Sequence, residues 1–295
     1  MMIEKTNQRK YMLKNDIEII KTNSGLAVYV GSNVTKAIEV INSRKIKHVI
    51  VSHDHGYSQD NVIFLNKIPS VEILTIQHYG PIDISGIHVL HNLKILGLNI
   101  IGGNNQVIDF SCFPNIEDCS FTWMSKAKSL FDCTSLKKLY LNKFNRNNFE
   151  DFKNMYNLEE IAIGSSPIKS LNGLENTNVH SLYLYFLTKL ETLRGIESLA
   201  DKIVELDINT CKKIKNIKEV ASLVNLERLG FNNCGDIESI NPISNLKRLS
   251  RFEFWESTNI LDGDLTPCLN LKEVAFQNRK HYTHTNEEID KIIRK

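Results

Sequence analysis

Short apolar triplets recur along most of the chain in one spacing. "IKHVIVSH" (from Ile46), "VEILTIQH" (Val71), "LKILGLNI" (Leu93), "IEDCSFTW" (Ile116), "LKKLYLNK" (Leu136) and "LEEIAIGS" (Leu158) begin the series. "VHSLYLYF" (Val179), "IVELDINT" (Ile203), "LERLGFNN" (Leu226), "LSRFEFWE" (Leu249) and "LKEVAFQN" (Leu271) complete eleven copies, whose starts lie 20 to 25 residues apart. Positions 1, 4 and 6 are apolar. Alternation at 4 and 6 is the mark of a short strand with one buried face, because successive side chains of a strand point to opposite sides. Each unit then needs a return path of about a dozen residues, and some return paths carry their own apolar anchors, as Ile237, Ile240 and Ile243 do.

A fixed period of this length is the signature of a solenoid. The pattern L-x-x-L-x-L in tandem over about 46–278 resembles the leucine-rich repeat family. The resemblance implies an α/β solenoid: a horseshoe with a parallel β-sheet on its concave side and a mixture of loops, 3₁₀ turns and short helices on its convex side. The repeats depart from the family's regular form and resemble its bacterial members. Cys211 and Cys234 supply the Asn or Cys that the family often has after the strand; Tyr79, Phe144, Leu187 and Ser257 stand there in other copies. Asn92, Asn115, Asn157, Asn178, Asn225 and Asn270 instead precede the next first apolar residue, where Asn favours a turn.

An open solenoid exposes core at each end, so caps are expected. Residues 1–45 supply one: "DIEIIK" and "LAVYVG" read as a hairpin joined through "TNSG", and "NVTKAIEVINSRK" as an amphipathic helix. Residues 279–295 supply the other, a helix opened by the capping box of Thr285 and Glu288, with an apolar stripe of Ile289, Ile292 and Ile293. Caps and repeats together read as one domain.

The same frame places positions 3, 5 and 7 on the concave face. Tyr140, Tyr183 and Tyr185 form a central aromatic group there, with Trp123 and Phe186 at its turn edge and Ala162 and Gly164 in the repeat between. Exposed Tyr and Trp offer large contact area with a polar tip and are enriched among binding hot spots. The alternative is that these rings pack on one another or serve self-association. Towards the C-terminal half, Glu205, Asp207, Glu253, Glu256 and Glu273 outnumber Arg228 and Arg251, which suits a partner with basic groups. Trp123, Tyr140, Tyr183, Tyr185, Asp207, Arg228, Glu253 and Trp255 are therefore the candidate partner-binding residues.

Composition narrows the partner class. Lys plus Arg number 36 and Asp plus Glu 34, so no basic footprint argues for nucleic acid. No run approaches the roughly 18 apolar residues of a membrane helix, and the N-terminal segment lacks a signal-peptide pattern, so a cytoplasmic location is expected. Six cysteines form no CxxC pair and read as reduced thiols. "VSHDHG" (His53, Asp54, His55) and "NRKHYTHTNEE" (His281, His284, Glu287) offer metal-ligating types without a zinc spacing. No phosphate loop, nucleophile elbow or HExxH occurs, and neither an enzyme nor a cofactor is expected. The resemblance implies a non-enzymatic protein-recognition scaffold, with a cytosolic inhibitor or immunity protein as its sharper form. A translocated effector that binds host proteins, and an enzyme with an unrecognised His or Cys site, are the alternatives.

Overall fold

The computed structural model describes residues 10–12, 17–102 and 105–294. Met1 to Arg9 and Leu13 to Asp16 of the expected N-terminal cap, Gly103 and Asn104, and Lys295 lie outside the described residues. The chain divides into two compact units, Met1–Leu136 and Lys137–Lys295, and the repeat pattern runs through the sequence of both.

In the first unit, β1 (Lys10–Met12), β2 (Glu18–Thr22) and β3 (Gly25–Val30) pair antiparallel in chain order. β2 and β3 are the expected hairpin; β1 is an added strand that the apolar pattern does not announce. The expected helix follows as α1 (Val34–Arg44). Asn33 caps it by accepting from the Lys36 N–H, and Lys45 ends it in the left-handed region. Ala37, Val40 and Ile41 are its buried side. The chain then runs parallel to β3 through β4 (His48–Ser52), β5 (Ile73–Tyr79), β6 (Ile95–Ile101) and β7 (Asp118–Thr122).

The second unit holds β8 (Lys138–Asn142), β9 (Glu160–Gly164), β10 (Ser181–Tyr185), β11 (Glu205–Asn209), β12 (Arg228–Asn232), β14 (Arg251–Phe254) and β16 (Glu273–Phe276), all parallel in that lateral order. Two short strands of the return paths, β13 (Asp236–Ile237) and β15 (Asn259–Ile260), pair with each other. Most return paths carry a short 3₁₀ turn, the one between β9 and β10 being irregular; among the described residues no α-helix lies within the repeats. Helix α2 (Asn286–Ile293) closes the described chain with the predicted capping box. Thr285 Oγ1 accepts from the Glu288 N–H at 3.2 Å, and Glu288 Oε2 accepts from the Thr285 N–H at 2.8 Å. Its apolar stripe is narrower than expected: Ile289 is fully buried, but Ile292 is 42% exposed, because an eight-residue helix turns only one side chain of that stripe onto the core.

The repeat frame assigns the faces correctly. Position 4 reads Leu139, Ile161, Leu182, Leu206, Leu229, Phe252 and Val274 across the second unit, and position 6 reads Leu141, Ile163, Leu184, Ile208, Phe231, Phe254 and Phe276; all are buried. Residues of equal position stand opposite one another in every pairing, so each row is a continuous apolar ladder. Burying each such side chain contributes about 1.5–3 kcal/mol. The first unit repeats this with Leu74, Leu96 and Cys119, and with Ile76, Leu98 and Phe121.

Candidate functional site

Because the inward rows are filled, the outward rows of the second unit are fixed by elimination. Position 5 carries Tyr140, Ala162, Tyr183, Asp207, Gly230, Glu253 and Ala275 side by side, and position 3 carries Lys138, Glu160, Ser181, Glu205, Arg228, Arg251 and Glu273. Seven of the eight candidate residues lie in this unit; Trp123 lies in the other.

The tyrosines are half-buried on the outward face. Tyr183 and Tyr185 lie on one strand two residues apart, and their rings stack at 6.4 Å and 11°. Ala162 and Gly164 stand opposite them on β9. Tyr140, one strand further on, donates its hydroxyl to Glu160, which also pairs with Lys138 at 2.9 Å. Burial pushes the Tyr183 hydroxyl up to about 12, with the Glu205 charge adding to it. The Tyr185 hydroxyl is raised further by burial and by Asp207. Both remain neutral donors.

The turn edge has a regular geometry that sequence reading missed. Lys143, Ser165, Phe186, Thr210, Asn233 and Glu256 all have positive φ, between 50° and 58°. Each is position 8 of its repeat. The first five donate their N–H to the position-7 carbonyl of the next repeat, at 2.8–3.1 Å. The left-handed conformation costs roughly 1–2 kcal/mol for a residue with a Cβ, and only Asn233 among the six is a residue type that visits it routinely. The ladder of carbonyl bonds imposes it. One consequence is that Phe186 is turned out and 55% exposed. It borders an open depression of about 380 Å³ with Ser165, Ser166, Pro167, Thr188 and Lys189. One residue on, Phe144 and Leu187 are buried, and the Cys211 and Cys234 thiols turn in to backbone carbonyls, including Asn209 O at 3.5 Å and Asn232 O at 3.3 Å. In the next repeat Thr258, not Ser257, takes this role, with its hydroxyl donating to Phe231 O at 2.7 Å and accepting from the Cys234 N–H.

Trp123 departs from expectation. It is also a position-8 residue, but it does not adopt the left-handed turn, and only 8% of it is exposed. Its ring packs between Phe121 and Phe131, with centroids at 6.4 and 5.3 Å. It is a core aromatic, not part of an exposed group. Trp255, by contrast, is 42% exposed at position 7.

The charged part of the face is more tightly arranged than a row of solvated side chains. Arg228 pairs with Glu205 at 2.5 Å, and Arg251 with Glu253 at 2.9 Å and Glu273 at 3.6 Å. Among the described residues no cation pairs with Asp207: its Oδ1 is inaccessible to solvent and has no hydrogen-bond partner, and the same holds for Asn232 Oδ1. Burial, then the Glu253 and Glu205 charges, push its carboxyl up to about 6, opposed by a hydrogen bond from Asn232. A depression of about 310 Å³ opens here, lined by Glu205, Asp207, Arg228, Gly230, Arg251 and Glu253. Gly230 is its floor; a Cβ on that residue would come within 2.7 Å of Asp207 Oδ1.

The histidine motifs do not gather into a ligand set. His55 stacks on Tyr29 at 3.9 Å and shares a hydrogen bond with Ser52 Oγ at 2.9 Å, while His53 meets the rings of His78 and Tyr79. His281 Nε2 lies 2.9 Å from Ile260 O. Among the described residues, no group of three His, Cys, Asp or Glu side chains converges on a point that a metal ion could fill. Burial raises every thiol: Cys133, Cys211 and Cys268 to about 12, Cys234 to about 11, with Cys112 and Cys119 raised as well. Such thiols are weak nucleophiles at neutral pH. Among the described residues no helix is long and apolar enough to cross a membrane.

No family model and no curated protein matches the chain. Solved structures do. An internalin from Listeria monocytogenes aligns over 87% of this chain and 82% of its own, with a TM-score of 0.54 and 16% identity. A leucine-rich repeat protein from Leptospira interrogans aligns over 88% of this chain and 61% of its own, with a TM-score of 0.53 and 18% identity. A TDR receptor aligns over 84% of this chain and 45% of its own, with a TM-score of 0.57 and 15% identity. At these identities the likeness is one of fold: the chain has the leucine-rich repeat fold.

Proposed function

We propose that this leucine-rich repeat chain is a protein-binding module whose second unit docks a partner protein on the outward face of β8–β16. The observation that carries the reading is the stacked Tyr183–Tyr185 pair on the outward side of β10, whose inward side is already filled by Leu182 and Leu184. The pair adds nothing to that core ladder, yet it presents two aromatic rings and two neutral hydroxyls, that of Tyr183 shared with Glu205. Exposed Phe186 and Trp255 extend the same surface along the turn edge.

Burial keeps the Cys133, Cys211, Cys234 and Cys268 thiols protonated, so none of them is a ready nucleophile towards a partner held there. An inhibitor that masks a partner's working surface is the specific form of the reading, and what supports it is that the outward rows of the second unit run side by side across its neighbouring parallel strands. The test is affinity capture on the immobilised full chain, with each captured protein measured against the double substitution Tyr183→Ala/Tyr185→Ala. The variant should melt close to the parent and lose about 2 kcal/mol or more of affinity for the true partner. Undiminished capture of every bound protein by a folded double variant would sink the reading.

A further inference from the structure

We propose that the depression over Gly230 is a slot for one cationic side chain, an arginine or lysine of the partner protein, received between Asp207 and Glu253. The proposal rests on the docking face described above and names the chemistry of its occupant.

Shape makes the first argument. Asp207, Gly230 and Glu253 are consecutive in the position-5 row. Parallel strands lie about 4.8 Å apart, so the two acidic residues stand about 10 Å apart, and the Asp207 carboxylate leans over Gly230 from one side of that interval. That gap admits a guanidinium or ammonium group and little else of the row's height. Any side chain at residue 230 would close it, and its Cβ would drive Asp207 aside.

Charge makes the second. Across β11 to β16 the outward rows hold four carboxylates, Glu205, Asp207, Glu253 and Glu273, against two guanidiniums, Arg228 and Arg251. The guanidiniums are taken by Glu205, Glu253 and Glu273. Among the described residues Asp207 has no positive partner, and its enclosed Oδ1 has no donor. A buried acceptor left unmade costs about 1–3 kcal/mol, more when charged. The depression is lined by three carboxylates, Glu205, Asp207 and Glu253, against the two guanidiniums, so a group that has several donors and a positive charge complements it. Arginine and lysine side chains are the protein groups of that description.

The experiment uses the full chain and an acetylated, amidated tetra-arginine peptide as probe, titrated by calorimetry at neutral pH and low salt. Saturable one-to-one binding is expected. Asp207→Asn and Gly230→Ala should each weaken it at least fivefold. Glu191→Gln, which removes an equal charge from an exposed loop residue, should leave it unchanged. Gly230→Ala keeps every charge and so tests shape alone. If it fails to fold, Asp207→Asn still decides. The slot is overturned if Asp207→Asn binds like the parent, or if Glu191→Gln weakens the probe equally, which would show general surface attraction only. Because the probe stands apart from the natural partner, a failed slot leaves the Tyr183/Tyr185 capture test standing, and a failed capture test leaves the probe result standing.

Discussion

At the scale of the residue, Asp207 shows how one position can trade stability for contact. Its carboxyl titrates at about 6 in the folded chain, raised first by burial, against about 3.9 for an unfolded aspartate. Between these values the folded state holds more protons than the unfolded one, so stability falls as pH rises from about 4 to about 6 and stays lower above. Asp207→Asn removes the charge that must be desolvated. The substitution should therefore raise the melting temperature at pH 7, and the gain should fade as the pH is lowered towards 4. Thermal melts of parent and variant at pH 4, 5, 6 and 7 check this. A constant difference across the series would mean that burial does not act through the charge. Residues that cost the fold stability while lining an open depression fit a role in binding better than one in folding.

At the scale of the element, each strand does two jobs because its side chains alternate. β10 gives Leu182 and Leu184 to the core and Tyr183 and Tyr185 to the outer face, within five residues. The exits of the strands are set differently, by N–H groups of left-handed residues reaching the next repeat's carbonyl. That is why Phe186 is out while Trp123, at the same repeat position without the left-handed turn, is in. Helix α2 depends on its entry more than its length. With eight residues it has little helical stability of its own, and its only fully buried residue is Ile289. Thr285→Ala should remove one half of the capping box and cost about 1 kcal/mol. Faster amide exchange confined to residues 286–293 is the expected signature, and unchanged exchange there would show that the box contributes nothing.

At the scale of the whole molecule, the near balance of charge conceals local order. Thirty-six basic and 34 acidic side chains predict little about partners, yet the outward rows of β11–β16 concentrate carboxylates at one point. The cysteines show the same contrast between composition and placement. Cys119, Cys211, Cys234 and Cys268 are buried, and Cys112 and Cys133 are only partly exposed. A thiol reagent of the aromatic disulfide type should label at most Cys112 and Cys133 quickly in the native chain and all six in denaturant. Rapid native labelling of Cys211 or Cys234 would mean that the ladder of thiols along the turn edge opens.

The amino-acid sequence by itself determined the repeat, the parallel strand of each repeat and the two faces of that strand. The physical reason is that period two within a strand and a period of 20–25 residues between strands leave one register in which every row of leucines and isoleucines meets its neighbour. The capping box and helix α1 were equally legible, since their signals are local. Tertiary structure alone decided the rest. Whether a residue at the turn edge faces in or out follows from a carbonyl bond to the next repeat, which no pattern of apolar and polar letters records. Which carboxylate keeps a partner follows from how two arginines divide themselves among three glutamates, and so, among the described residues, leaves Asp207 unpaired beside Gly230.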